Sequence, residues 1–355
     1  MVIATSIPTV DEEMEREVLR ALKEEFFVGG ESVEKFEEEF ADYVGTDYAV
    51  AVSSGTDALV IALRCLGIKE KVITTPMTFV ATAESVVLAG AKPEFADIDA
   101  NTWNINPGEI ENHISNETKA IMPVHLYGLP ANMKEIMDIA EDKNLHVVED
   151  CAQAHGAEYK GKKVGSIGSI GCYSFYSTKN MTVAGNGGMI TTNDKKVAEL
   201  AKLLREHGGA NNAKYIGYNA RMNTINAAFG RVQLKRLDGW IKRRREIANM
   251  YRKKLDGVKE IKLPIINDEH VYHLFVIEAE RRYGLREYLR SKEIFCGIHY
   301  PVPIHMLEPY KDYAEQSYPN AEYHAKAALS IPMYPSLKDE EVEMIVEEIK
   351  KFYGE

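Results

Sequence analysis

A lysine, an aspartate and a serine-glycine turn are the residues of this 355-residue chain best placed to do chemistry. The lysine is Lys179, inside CYSFYSTKNMTVAGNGGM, from Cys172 to Met189. Cys172 to Tyr176 alternates apolar and polar positions, as a strand does. Gly185, Gly187 and Gly188 then form a loop in which backbone passes close to something or turns sharply. An amine between a buried strand and such a loop is poorly hydrated, which lowers its pKa, and a neutral amine is a nucleophile that forms Schiff bases. Taken alone, the stretch fits a surface lysine beside a turn at least as well.

The aspartate is Asp150, at the end of LHVVED. A carboxylate at the tip of a buried strand is costly unless it meets a cation or hydrogen-bond donors. By itself it fits a turn or cap equally. Gln153 and His155 follow within one turn. The third feature is SGTDAL, 54–59, at a strand-to-helix turn. Free N–H groups and the helix dipole favour an anion there, and Gly55 lets the backbone approach. An ordinary capped helix start explains it too. Neither GxxxxGK[ST] nor GxGxxG is present, which argues against a nucleoside triphosphatase and a nicotinamide enzyme.

These residues need a frame. From Asp47 onward, short apolar runs alternate with helical segments: YAVAVSS, helix 56–66, KVITT, helix 79–89, PEFADI, KAIMPV, helix 133–142, LHVVED. Such alternation predicts an α/β fold with a mostly parallel sheet and helices on both faces. Ligands bind beyond the carboxyl ends of its strands. Two amphipathic helices precede it (11–26, and one capped by Ser32), and GMITTN with helix 195–206 follows the glycine loop. Helices are expected at 224–237 and 240–255. A domain boundary near residue 240 divides a large domain, 1–240, from a smaller C-terminal α+β domain, 241–355.

An anion-binding turn, a strand-tip carboxylate and a lysine on a later segment meet the three needs of pyridoxal 5′-phosphate. The turn takes the phosphate, the carboxylate keeps the pyridine nitrogen protonated, and the lysine binds the aldehyde and moves the proton. Phe79 is placed to stack on the ring, although a core helix residue is the plainer reading.

Strings from GGESVEKFEEEFADYVG through SSGTDALVIAL, TPMTFVATAESVVLAGAKPEFADID, TKAIMPVHLYG, VVEDCAQAHGAEYKGKKVGSIG, SFYSTKN, GYNARMN and GIHYPVPIH to LSIPMYPSL, with Asp150 and Lys179 29 residues apart, are spread over nearly the whole chain. In combination they resemble the DegT/DnrJ/EryC1/StrS aminotransferases, the sugar-nucleotide branch of the fold-type I pyridoxal-phosphate transferases. The resemblance implies a large domain with a seven-stranded sheet. It implies Lys179 as the internal aldimine lysine, Asp150 at the ring nitrogen, Gln153 by the phenolic oxygen and Phe79 stacked on the ring. Gly55, Thr56 and Ser174 would hold the phosphate, joined by Asn219 from the partner subunit, so that a homodimer shares its active sites. Tyr176, Arg221, His299, Tyr300 and His305 would lie near the substrate. No metal is implied. Two departures stand out: Asn186 where the family usually carries Glu in GEGG, and a shortened IKEKVI.

The implied reaction moves an amino group from an amino acid, taken as L-glutamate, to a keto group of a nucleotide-linked sugar, taken as 4-keto-6-deoxy from the TKNMT string. The alternatives are a 3-ketosugar aminotransferase, a sugar-nucleotide dehydratase, and a non-catalytic regulatory protein that binds the cofactor. Retention of Lys179 argues against the dehydratase, in which that lysine is replaced. The net charge of −11 gives no basic surplus for nucleic acid or anionic membranes. Cys65, Cys151, Cys172 and Cys296 form no CxxC pair, which suggests neither a zinc site nor a disulfide framework. With no basic, apolar leader and no spanning stretch, a cytoplasmic protein is expected.

Overall fold

The computed structural model describes residues 2–314 and 316–354. Helices α1 (Glu12–Glu24) and α2 (Glu31–Val44) come first. Asp11 caps α1, accepting from the Met14 N–H at 3.0 Å. Ser32 does not cap α2: Gly30 holds that position, and Ser32 is buried one step inside the helix. The reason is the Glu25 carboxylate, which takes the Ser32 N–H (2.8 Å), the Ser32 hydroxyl (2.7 Å) and an Arg20 guanidinium N–H (2.8 Å). A shielded carboxylate needs donors more than the helix end needs a cap.

Strands and helices then alternate: β1 (Tyr48–Val52), α3 (Gly55–Cys65), β2 (Lys71–Thr74), α4 (Ala81–Leu88), β3 (Lys92–Phe95), α5 (Pro107–His113), β4 (Thr118–Met122), α6 (Met133–Lys143) and β5 (His146–Asp150). A small hairpin, β6 (Glu158–Tyr159) and β7 (Lys162–Lys163), leads to β8 (Ile170–Ser174), β9 (Gly188–Thr192) and α7 (Lys195–Arg205). The main sheet has the order β1-β9-β8-β5-β4-β2-β3. Only β9 runs antiparallel to its neighbours. This is the expected seven-stranded, mostly parallel sheet. Ile61, Val86 and Ala201 from α3, α4 and α7 cover one face. Phe36, Leu237 and Ile136 lie among the residues that cover the other. Both faces are therefore dry, as the near-continuous apolar strands require.

The helices expected at 224–237 and 240–255 are one helix, α8 (Thr224–Leu255). Gly239 sits within it, with open space where a Cβ would be. A helical glycine costs about 1 kcal/mol relative to alanine, and the buried flanks Leu237, Ile241 and Ile247 outweigh that. Past it come β10 (Ile261–Lys262), β11 (Phe275–Ala279), α9 (Arg282–Ser291), α10 (Pro319–Ala327), β12 (Ala328–Ile331) and α11 (Asp339–Tyr353). Strands β10-β11-β12 form an antiparallel sheet. Its core, around Tyr251, Phe275, Leu285 and Ile345, also receives Ile3 from the other end of the chain. Among the described residues no helix is long and apolar enough to cross a membrane.

Of the two carboxylates at the tip of β5, Glu149 is structural. It is fully buried and accepts the N–H groups of Gly165 (2.8 Å), Ile167 (2.8 Å) and Gly168 (2.7 Å). His125 Nε2 lies 3.1 Å away, while its Nδ1 accepts the Ala131 N–H at 3.0 Å. These bonds tie the loop before β8 to β5 and so set the height of β8. Glu149→Ala strands three N–H groups, and removing one side of a buried charged network costs about 3–5 kcal/mol. A lowered midpoint in urea, with the slope unchanged, checks this.

Candidate active site

The carboxyl ends of β1, β5 and β8 open onto one cavity of about 870 Å³. At its floor lies the start of α3. Ser54 caps this helix, its Oγ accepting the Asp57 N–H at 3.0 Å. The first N–H groups of a helix have no intrahelical acceptor, and Gly55 and Thr56, the first two residues of this helix, line the cavity. A Cβ on Gly55 would stand 2.6 Å from the Ser174 Cβ, and one on Gly188 would strike the Ser54 carbonyl. The glycines of the loop are thus needed for close passage. Gly185, Gly187 and Gly188 all lie outside the left-handed region. Together the helix start and the Ser174 hydroxyl form an anion cradle that side chains would fill.

Asp150 and Lys179 face the same cavity. Register places Asp150 beside Cys172 on β8, and a turn closed by Lys179 N–H to Tyr176 C=O (2.9 Å) carries the lysine back over the strand end. The Asp150 carboxylate is buried and accepts the Thr82 hydroxyl (2.8 Å) and the Ala152 N–H (3.1 Å). It has no ion pair among the described residues. Burial raises its pKa, opposed by those two donors and by Lys179. A carboxylate so placed favours a cationic partner. Burial brings the Lys179 amine down to about 8, against the pull of Asp150. The Nζ makes no hydrogen bond to the described residues.

Half of the Lys179 amine is therefore neutral near pH 8 instead of 10.5. Uptake of an aldehyde by cofactor-free protein should speed up as pH rises towards about 8 and level off above it. Stopped-flow absorbance across that range checks the sign, since only the neutral amine attacks.

The remaining walls are aromatic and polar. Gln153 Nε2 donates to the Tyr300 hydroxyl at 3.0 Å, and its Oε1 accepts the Tyr127 N–H at 2.7 Å. The Phe79 ring, half exposed, lies 5.9 Å from that of Tyr300. Burial lowers the His299 imidazole to about 4, and its Nδ1 lies 2.8 Å from the Ser330 hydroxyl. Tyr176 and Asn186 line the rim.

Gly55, Thr56, Phe79, Asp150, Gln153, Ser174, Tyr176, Lys179, His299 and Tyr300 are thus brought together. Three expected residues are not. His305 is packed away from the cavity: its ring meets Tyr318 edge-on at 4.7 Å, and its Nε2 lies 3.3 Å from Glu322. Arg221 pairs with Glu206 at 3.2 Å and donates to Asn219 Oδ1 at 3.2 Å, on a surface away from the cavity of its own chain. Among the cavity residues that the sequence reading did not single out are Thr82 and His273. Thr82 stands one helical turn after Phe79, a spacing that carries the signal; His273 sits in a run read only as a strand.

The arrangement fits pyridoxal 5′-phosphate: an amine with no hydrogen bond and a buried carboxylate with no ion pair among the described residues, and a glycine cradle at a helix start. Similarity to known proteins agrees. The model of the DegT/DnrJ/EryC1/StrS aminotransferase family matches residues 8–350. The chain is 40% identical to the pleiotropic regulatory protein of Geobacillus stearothermophilus, over 98% of this chain and 99% of that one. It is 39% identical to the dTDP-3-amino-3,6-dideoxy-alpha-D-galactopyranose transaminase of Aneurinibacillus thermoaerophilus, over 96% and 95%. The crystal structure of S. venezuelae DesV in complex with a ketimine intermediate superposes with a TM-score of 0.93 at 37% identity, covering 97% and 95% of the two chains. The chain therefore belongs to the DegT/DnrJ/EryC1/StrS aminotransferase family, whose enzymes depend on pyridoxal 5′-phosphate.

Proposed function

We propose that the protein transfers an amino group from L-glutamate to the keto group of a nucleotide-linked 4-keto-6-deoxy sugar. The observation that carries the chemistry is the convergence of Lys179, Asp150 and the start of α3 on one cavity. When bound, the cofactor supplies an aldehyde that exchanges with amines and a ring that accepts electrons. Lys179 Nζ would hold that aldehyde and, once displaced by the incoming amine, would move a proton between the substrate carbon and the cofactor. The Asp150 carboxylate would keep the ring nitrogen protonated. Gln153 and Phe79 would hold the ring, and Gly55, Thr56 and Ser174 would hold the phosphate. Tyr176, His299 and Tyr300 form the substrate side.

A dicarboxylate donor and a nucleotide diphosphate both call for cations, yet no arginine lines this cavity among the described residues. That supports a homodimer in which the partner supplies Arg221 and Asn219. Phe26 and Phe27 are 86% and 62% exposed. The Phe27 carbonyl accepts the Thr224 N–H at 2.9 Å, so this apolar patch adjoins the start of α8, just after the segment that carries Asn219 and Arg221. Burying it against a second copy would bring both residues towards the other cavity.

The relative named as a regulatory protein favours one second reading, a cofactor-binding protein without turnover. Incubating the protein with L-glutamate and a panel of dTDP-, UDP- and GDP-linked 3-keto and 4-keto sugars, read by mass, separates the two. Amine gain by a 4-keto sugar is expected. Gain by a 3-keto sugar alone would correct the ring carbon, and exchange among amino acids alone would remove the sugar from the function.

A further inference from the structure

His273 is held by its backbone, while its ring has no hydrogen-bond partner among the described residues. Arg244, buried on α8, donates from Nη1 to the carbonyls of Tyr272 (3.0 Å), His273 (3.3 Å) and Met333 (3.0 Å). The next residue, Leu274, donates its N–H to the Tyr127 carbonyl at 3.4 Å. These bonds fix the peptide just ahead of β11, where His273 lines the cavity at 5% exposure. Its ring makes no hydrogen bond to any described residue; Nδ1 is shielded from solvent, which leaves Nε2 as the ring atom a ligand can reach. Buried polar groups in native proteins are overwhelmingly paired, so an orphan calls for a partner that arrives later. His155, whose two ring nitrogens are buried and also unpaired among the described residues, packs against Phe175 and Tyr173 and does not border the cavity.

We propose that His273 is a substrate-binding residue whose Nε2 hydrogen-bonds a hydroxyl of the sugar ring. This rests on the functional reading above. Groups facing the ring include Lys179, Arg244, His299 and His155; burial first, and then the nearby cations, hold its pKa well below the ordinary value. The imidazole is therefore neutral and too weak a base to carry protons at neutral pH. A neutral imidazole has one donor and one acceptor, the complement of a hydroxyl. A carboxylate or phosphate is better served by a cation.

The test compares His273→Phe and His273→Asn holoenzymes with the wild type. The donor half-reaction is followed by the cofactor absorbance on adding L-glutamate, and the KM for the best accepted sugar nucleotide is followed by mass. We expect His273→Phe to raise that KM about tenfold, the worth of one good hydrogen bond. The donor half-reaction and the shape of the pH profile should stay unchanged, and His273→Asn should recover part of the loss. Should His273→Phe fail to fold, the ¹⁵N ring signals of His273 in the wild type should shift with the sugar nucleotide and not with glutamate. Wild-type turnover with an unchanged KM in both variants, or a donor step slowed as much as the sugar step, overturns the role of His273 alone. A wild type that accepts no sugar nucleotide overturns the functional reading as well.

Discussion

Lys179→Ala is expected to lower amine transfer by at least about 10³-fold, since one residue serves as both nucleophile and proton carrier. Its fold should survive, because the amine makes no hydrogen bond to the described residues. Stability should even hold or rise. Burial depresses the folded pKa to about 8 from 10.5, so the unfolded chain binds more protons between those values. Stability of the cofactor-free wild type therefore increases with pH from about 8 to 10.5, and a charged Lys179 is a cost below that range. Removing the amine removes that cost. Thermal midpoints of the two cofactor-free proteins, beside their rates, test both halves: a midpoint drop of many degrees would mean that the lysine holds the fold and would leave the rate loss without chemical meaning.

Asp150→Asn keeps the shape and one oxygen for the Thr82 hydroxyl but removes the charge. Loss of a preorganised charge at the reacting centre costs about 10²–10³-fold in rate, so a drop of that size in kcat is expected, with cofactor still bound through the α3 cradle. Here too the sign of the stability change is informative. Burial raises the carboxyl pKa above 3.8, so cofactor-free wild type loses stability as pH climbs from 3.8 through the raised value. At neutral pH the asparagine variant, without cofactor, should be at least as stable as the wild type. Equal kcat values for Asp150→Asn and wild type would show that no ring charge depends on this carboxylate.

Much of this was legible in the residues because the physics was local. Alternating apolar runs and amphipathic segments specify a parallel sheet covered on both faces, and the tips of its strands name Asp150 and the 54–56 turn. Three glycines in a loop announced close passage, and Gly188 against the Ser54 carbonyl accounts for it. What the residues concealed is tertiary. The two helices expected at 224–237 and 240–255 run on as one, because packing on both sides of Gly239 carries α8 through it. Ser32 looked like a cap until Glu25 folded back onto it. His305 shares its loop with two cavity residues, yet a stack on Tyr318 turns it inward. His273 was invisible because its placement depends on Arg244, 29 positions earlier and on another element.

The most direct measurement is to load the protein with pyridoxal 5′-phosphate, reduce it with borohydride, digest it and map the cofactor mass by tandem spectrometry. One modified peptide is predicted, with the added mass on Lys179. An adduct on another of the chain's lysines, or no adduct from protein that transfers amines, would contradict the account.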